Sequence, residues 1–599
     1  MEKGQILEIK IEDMSAEGQG IGKADGFTVF VKDAVVGDVV KAKLMKVKKH
    51  YGFGRLTEIT EPSENRMEPL CPYSSQCGGC TYSNLDYEAQ LALKEKQVAD
   101  KLTRLGGLEN PVIRPIIGME DEPFRYRNKA SMPVSTGGLI TKKGGIVTPV
   151  HEPRIGFYQA KSHDVVDVSD CLLQSEPAMA AAQALRQFME EDHITSYDPR
   201  WEKGLMRHLI VRTAAGTGQV MVILVINGKG IPNAAKLVDM LDEAIYNVPV
   251  YEEGPLAGVE FNLASVVVNI NKKNTSQILG DECITIAGSP TILEEIGGLQ
   301  FEISPLSFYQ VNRDQMMKLY GKALEYANLQ GGETVLDLYC GVGTIGLFCA
   351  AEMNRLASSA DATSQNPSPP SSGRVIGIES VKGAVVDANR NAVINCIVNA
   401  RFVCGKAEEE LPKMVSGKDL KDESLRITQS DVVILDPPRA GCEQILLETV
   451  VSVAPEKIVY VSCDPATLAR DIRFLTENGY AFVEATPVDM FPWTGHVETV
   501  VLLSKGEIDS KKVRVEFSLE EMDMSEFQDG ATYPQIKVYV LEHTGLKVSN
   551  LYISQVKRKC GIEVGKNYNL PKSEDSRQSQ CPPEKEKAIR EAFKYFGMI

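Results

Sequence analysis

No stretch of this 599-residue chain approaches the ~20 consecutive apolar residues needed to span a bilayer. Its opening residues carry acids (Glu2, Glu8, Glu12, Asp13) and no apolar block, so no secretory signal is expected. Cysteine is too sparse for a disulfide scaffold, at 13 residues over the whole length. A reducing cytoplasm is the expected compartment, where grouped cysteines point to metal binding or catalysis. Basic charge is also in deficit: 65 Lys and Arg face 81 Asp and Glu, a net charge of −16. That balance excludes a protein that coats nucleic acid by bulk attraction, but not one with a local basic groove. No internal repeat is present.

What is present fits an ordinary globular composition, 43% hydrophobic and 24% charged. The length is too great for one core and suggests roughly three to five domains. Residues 1–60 read as a small barrel of short alternating strands (5–11, 28–31, 39–45 and 54–59) with glycine-rich turns such as Gly18-Gln-Gly-Ile-Gly22. Within it, Lys41, Lys43, Lys46, Lys48, Lys49 and Arg55 form a basic run without an acid. Residues 61–300 begin with a cysteine-rich loop and a helix near 86–104, then read as a mixed α+β region. Here Arg125, Arg127 and Lys129 form the next basic group after that of the barrel, and the next candidates should a polyanion be bound.

From about residue 301 to 505, apolar strands at 334–339, 375–378, 431–435 and 457–461 alternate with helical sequence, the mark of a doubly wound, Rossmann-like parallel sheet. The stretch 354–374, rich in Ser, Ala and Pro, reads as a disordered surface insertion. Residues 506–599 form an extension in which 532–543 and 549–559 read as helices joined through Gly545, a helix-turn-helix-like pair.

Three strand ends carry chemistry. Asp337-Leu-Tyr-Cys-Gly-Val-Gly-Thr-Ile-Gly346 joins a strand to a helix with glycines that let the backbone approach a ligand. An acid at the end of the next strand can accept both hydroxyls of a ribose. Glu379 lies 42 positions beyond Asp337, of which 21 belong to the insertion, so the remaining spacing is near the ~20 of nucleoside-binding folds. S-adenosylmethionine is the expected cofactor. Asp436-Pro-Pro-Arg439 offers a rigid acceptor in the same crevice, and Cys463 sits in a strand-to-helix turn where helix-terminal amides can stabilise a thiolate. Glu498 closes a loop just before the last strand. Separately, Cys71, Cys77 and Cys80 share one loop, with Cys171 as a fourth thiol; four thiolates suit zinc or a four-iron four-sulfur cluster.

DLYCGVGTIGL, ILDPPRAG, YVSCDPATLARD and HVETV occur in the order and spacing of the RNA uracil-5-methyltransferases. Over roughly residues 1–504 the chain resembles the 23S ribosomal RNA (uracil-5-)-methyltransferase family, and its first unit, with GQGIGK and VFV, resembles that family's TRAM domain. The resemblance implies a class I methyltransferase acting on RNA. It implies a nucleophile at Cys463, a base at Glu498 and cofactor contacts at Gln310, Tyr339, Glu379 and Asp436. It further implies a four-iron four-sulfur cluster on Cys71, Cys77, Cys80 and Cys171, and the chain is expected to be a monomer. One departure is Asp464, where the family often has Asn; its carboxylate is expected to raise the thiol pKa of Cys463. Two rival readings are a transfer RNA uracil-5-methyltransferase and a non-catalytic RNA-binding protein that senses iron.

Overall fold

The computed structural model describes all residues except 121–122, 137–139, 142–146, 149–151, 251, 253–255, 364–372, 421, 507–532, 547, 549, 561, 563–580, 597 and 599. The chain divides into two compact units, Met1–Ile508 and Asp509–Ile599. Among the described residues no helix is long and apolar enough to cross a membrane.

The first unit opens with a closed five-stranded barrel: Ile6–Met14, Gln19–Ala24, Phe27–Lys32, Tyr51–Glu61 and Val39–Val47 in neighbour order. Alternation sends Ile9, Ile11, Val29, Val31, Val40, Ala42 and Leu44 inward. The segment 18–22, expected as a turn, is mostly strand. Gly20 and Gly22 are glycines because a Cβ there would lie 2.7 Å from the Ala34 carbonyl oxygen and 2.3 Å from that of Lys10. Only Gly18, at φ +75°, serves the turn itself.

A central sheet of seven strands follows, flanked by the helices Glu176–Glu191 and Ala234–Tyr246. Its strand Gln219–Ile226 is buried from its second residue onward. The hairpin Ile292–Ile296/Leu299–Ile303 turns on Gly297 and Gly298, both at positive φ, and leads to the helix Arg313–Ala327.

The third layer is a second seven-stranded sheet. Its neighbour order is Ala400–Cys404, Arg374–Glu379, Thr334–Leu338, Val432–Leu435, Lys457–Ser462, Glu498–Lys505 and Tyr480–Val488. The first five run parallel and Glu498–Lys505 runs antiparallel to them. Both faces are covered, which is why Val432–Leu435 is apolar throughout. Val335 joins the core on one face while Leu336 and Leu338 join the other. Cutting Leu336 to Ala costs about 2–5 kcal/mol by leaving a void there. Connections leave Thr334–Leu338 toward both neighbours, so a crevice opens at the carboxyl ends, where doubly wound folds bind ligands.

Two expectations change. The helix Thr344–Thr363 runs ten residues into the supposed disordered insertion, because Ala and Leu sustain it until the prolines begin and Leu356 packs on the core. Residues 364–372 lie outside the described residues. In the second unit the expected helices are Tyr533–Thr544 and Asn550–Lys559, the starts expected at 532 and 549 lying outside the described residues. A third helix, Pro583–Tyr595, joins them around Ile536, Val540, Ile553, Val556, Ile589 and Phe593. Pro583 at its first turn and the spacing of Ala588, Ile589, Ala592 and Phe593 were the available signals.

Candidate active site and cysteine cavity

A 660 Å³ cavity opens at the carboxyl ends of the second sheet. Gln310, Tyr339, Glu379, Asp436, Cys463 and Glu498, far apart in sequence, all line it. Tyr339 takes φ +66° directly after its strand, and its hydroxyl donates to Glu408. Glu379 ends its strand, accepting from the Gly341 amide at 3.2 Å and the Val381 amide at 2.7 Å. Asp337 is buried; one carboxylate oxygen accepts from the Gly346 amide at 2.9 Å and the other has no partner. Its pKa is pushed up to about 7 by burial and by Glu379. Asp436 is likewise pushed up to about 7 by burial, with Asp337 adding to it. Glu498, 4% exposed at the start of its strand, is raised to about 8 by burial, then by Asp436, against the pull of Arg439.

Cys463 stands between the strand Lys457–Ser462 and the helix Pro465–Glu477. The expectation that helix amides stabilise its thiolate is not met. Asp464 caps that helix itself, accepting from the amides of Ala466 at 2.8 Å and Thr467 at 3.1 Å. The thiol is pushed up to about 11, first by burial and then by Glu498 and Asp436, while Arg439 opposes. Asp464, expected to raise it, is not among these influences; its carboxylate faces the helix amides. Sequence reasoning also gave no role to Arg439, nor to Phe308, a 63% exposed ring on the cavity wall, nor to Phe491. Nothing in the sequence marked Phe308, because its exposure beside the buried Tyr309 and Gln310 is set by the fold.

A second cavity, of 330 Å³, is lined by Cys71, Cys77, Cys80 and Cys171 together with Arg127 and Lys129. All four thiols are free and partly exposed. Burial, then the neighbouring thiols, pushes Cys80 up to about 12. Among the described residues, no group of three or more His, Cys, Asp or Glu side chains is arranged to hold a metal ion. Lys129 is pushed down to about 8 by burial and by Arg212, its register partner on the adjacent strand. Arg125 is held by Asp170 at 2.8 Å and Glu176 at 3.1 Å. The expected alternative RNA path of Arg125, Arg127 and Lys129 is therefore not an open basic surface, because one is paired and two line this cavity.

On the barrel, Lys41 is paired with Glu58 at 2.9 Å, so it leaves the expected basic set. Lys43, Lys46, Lys48, Lys49 and Arg55 remain exposed. Beside them Phe30, Tyr51 and Phe53 form a ring cluster with centroids 5.5–5.8 Å apart.

A family model described as tRNA (Uracil-5-)-methyltransferase matches residues 297–506, and a TRAM domain model matches residues 1–57. An uncharacterized RNA methyltransferase of Halalkalibacterium halodurans is 39% identical over 501 residues, covering 84% of this chain and 97% of its own. One from Clostridium acetobutylicum is 41% identical over 508 residues, covering 84% and 98%. Among solved structures, a Pyrococcus abyssi tRNA (uracil-54, C5)-methyltransferase in complex with S-adenosyl-L-homocysteine is 27% identical, with a TM-score of 0.59, covering 83% of this chain and 99% of that one. With a TRAM barrel at one end and a doubly wound catalytic sheet further along, the chain belongs to the RNA (uracil-5-)-methyltransferases, enzymes dependent on S-adenosylmethionine.

Proposed function

We propose that the chain methylates C5 of a uridine in 23S ribosomal RNA, with Cys463 as nucleophile and Glu498 as base. The observation that carries this reading is their convergence on one cavity with Asp436, whose carboxylate acts on both. Uracil C5 is a poor nucleophile. Attack of the Cys463 thiolate on C6 converts the ring to an enolate with its electron density at C5. S-adenosylmethionine, when bound, supplies a methyl group on a sulfonium sulfur. Glu498 then takes the C5 proton; the C–H pair re-forms the C5–C6 double bond, and the C6–S pair returns to Cys463. A carboxylate raised to about 8 suits a base working near neutrality. Two buried acids in the cavity wall, Asp436 and Glu498, fit a cationic methyl donor. Glu379 is placed to accept from ribose hydroxyls, with Gln310, Tyr339 and Asp436 completing the pocket. The target base must leave its stack to enter, and Phe308 offers it a ring face at the wall.

We read the cysteine cavity as the seat of a four-iron four-sulfur cluster. Four thiols lining one cavity supply the ligand number that such a cluster takes, and Arg127 and Lys129 supply counter-charge for an anionic tetrathiolate cluster. The parts are taken as 1–60 for RNA binding, 61–300 for the cluster and central sheet, 301–505 for catalysis and 506–599 as an accessory.

The test is covalent capture. Cys463→Ala abolishes trapping of RNA carrying 5-fluorouridine, whose fluorine blocks elimination, and abolishes turnover, while S-adenosylmethionine binding persists. Normal turnover by that variant removes Cys463 from the reaction. The likeness to the Pyrococcus abyssi enzyme favours transfer RNA as a second reading of the substrate. Methylation of 23S and transfer RNA transcripts, compared side by side, separates the two.

A further inference from the structure

Glu498 forms one foot of a hairpin: it pairs with Val488, and residues 489–497 between them make its tip. Such tips are commonly two to five residues long, and a longer one has to be held by something. Here the tip carries Phe491 and His496 into the cavity wall beside Glu498. Its backbone is held largely from outside the catalytic sheet.

The hold comes from the helix Tyr87–Arg104. Gln90 and Lys94 are four residues apart, hence on one helix face, and both are fully buried, an unusual pair to turn inward. Lys94 Nζ donates to Asp489 at 2.5 Å, both side chains being fully buried, and to the Phe491 carbonyl oxygen at 3.0 Å. Gln90 accepts from the Trp493 amide at 2.9 Å. Trp493, itself at φ +67°, accepts at its carbonyl from the amides of Thr81 and Tyr82, immediately after Cys80. The Trp493 indole donates to the Pro123 carbonyl oxygen at 2.9 Å, and the Tyr126 hydroxyl donates to that of Pro492 at 3.0 Å. Burying an ammonium and a carboxylate together is costly, and a hydrophobic pair of the same volume holds a core at least as well. The polar pair instead fixes one conformation of the tip.

We propose that Lys94 and Gln90 are positioning residues for the base: they hold the 489–497 tip so that Glu498 meets the C5 proton after the methyl group has been transferred. They touch neither RNA nor methyl donor. This rests on the assignment of Glu498 as base and Cys463 as nucleophile. Because Cys463 lies on a different strand end, loosening the tip slows release of the covalent RNA adduct and spares its formation.

The experiment uses the full chain with Lys94→Met and Gln90→Leu, each near in volume to what it replaces, beside Glu498→Gln. The RNA is the 23S or transfer RNA transcript that the parent chain methylates, made with uridine or with 5-fluorouridine. Capture of 5-fluorouridine RNA is expected within about threefold of the parent rate. On uridine RNA, turnover falls roughly 10- to 100-fold, as for small misplacements of a catalytic group, and a denaturing gel shows accumulated adduct. If Lys94→Met leaves Asp489 unpaired and the chain unfolds, Gln90→Leu, which buries no charge, carries the test. Capture and turnover falling together, or both staying unchanged, overturns the inference. If Glu498→Gln accumulates adduct and the two helix variants do not, the inference fails alone. If Glu498→Gln accumulates none, the assignment of the base fails with it.

Discussion

The two cavities of the first unit are charged in opposite senses. Around Cys463, the carboxyls of Asp436 and Glu498 are buried in the cavity wall and pushed up to about 7 and 8. Around Cys71, Cys77, Cys80 and Cys171, the ionic side chains of the wall are Arg127, Lys129 and Asp170, the last paired with Arg125, and Lys129 is pushed down to about 8. Burial penalises the charged form of either kind, so each cavity holds groups whose charge is completed by a guest of the opposite sign. A cationic methyl donor suits the first and, on the reading proposed above, an anionic thiolate cluster suits the second. The lesson is that one chain of net charge −16 gathers buried acids at one cavity and partly buried bases at another, which its overall balance does not reveal.

The largest effect expected from breaking this contrast is at the base. Glu498→Gln should lower turnover by ~10²–10⁴-fold and leave RNA bound to Cys463, read as a shifted band on a denaturing gel. Failure of that band to appear assigns the proton to another residue.

Asp436→Asn comes next. S-adenosylmethionine affinity should fall ~10- to 100-fold, the range for losing a charged hydrogen-bond partner, measured by calorimetry. The same variant should melt later. Asp436 stays neutral in the fold up to about pH 7, whereas an unfolded aspartate ionises above 3.8, so stability is lost as pH rises between those values. The gain in melting temperature is therefore greatest above pH 7 and vanishes below about pH 4. A variant that melts earlier at pH 8 contradicts the strained burial of this carboxyl.

In the cysteine cavity, Lys129→Gln should lower the iron retained after anaerobic purification and leave S-adenosylmethionine affinity unchanged. Full iron content and an unshifted reduction potential would deny the counter-charge role. On the barrel, neutralising Lys46, Lys48 and Lys49 together should flatten the log–log salt dependence of RNA binding by roughly two units. An unchanged slope makes them a solvated face.

The smallest effect is protonic. A cationic ligand lowers the raised pKa values of Asp436 and Glu498, so binding S-adenosylmethionine releases protons, and affinity rises with pH until both acids are ionised above about pH 8. Calorimetry in buffers of different ionisation enthalpy reads this directly. A proton count of zero at pH 7 removes the carboxylates from cofactor binding.

Much of the catalytic sheet was legible because its signals are local. An apolar strand followed by glycines, by Asp-Pro-Pro or by Ser-Cys-Asp-Pro marks a carboxyl end wherever it falls, and a doubly wound sheet gathers such ends in one crevice. Gly20 and Gly22 misled because they answer to carbonyl oxygens of Ala34 and Lys10 across the barrel, which composition does not reveal. The segment 354–363 misled because serine reads as loop while packing of Leu356 decides for helix. Asp464 was weighed as a charge and serves as a cap.

The order of chemistry along the chain belongs to the sequence: Cys71 to Cys80, the glycine turn after Asp337, Asp436, Cys463 and Glu498 are set by local strand and turn preferences. What these groups do to one another belongs to the tertiary structure. The rise of Cys463 to about 11 and of Glu498 to about 8 comes from desolvation and from carboxylates brought close by separate strands. So does the reach of Lys94 to Asp489, residues nearly 400 positions apart that share one buried ion pair. Burial and through-space charge depend on which segments meet, and that meeting is fixed only when the strands take their places in the sheet.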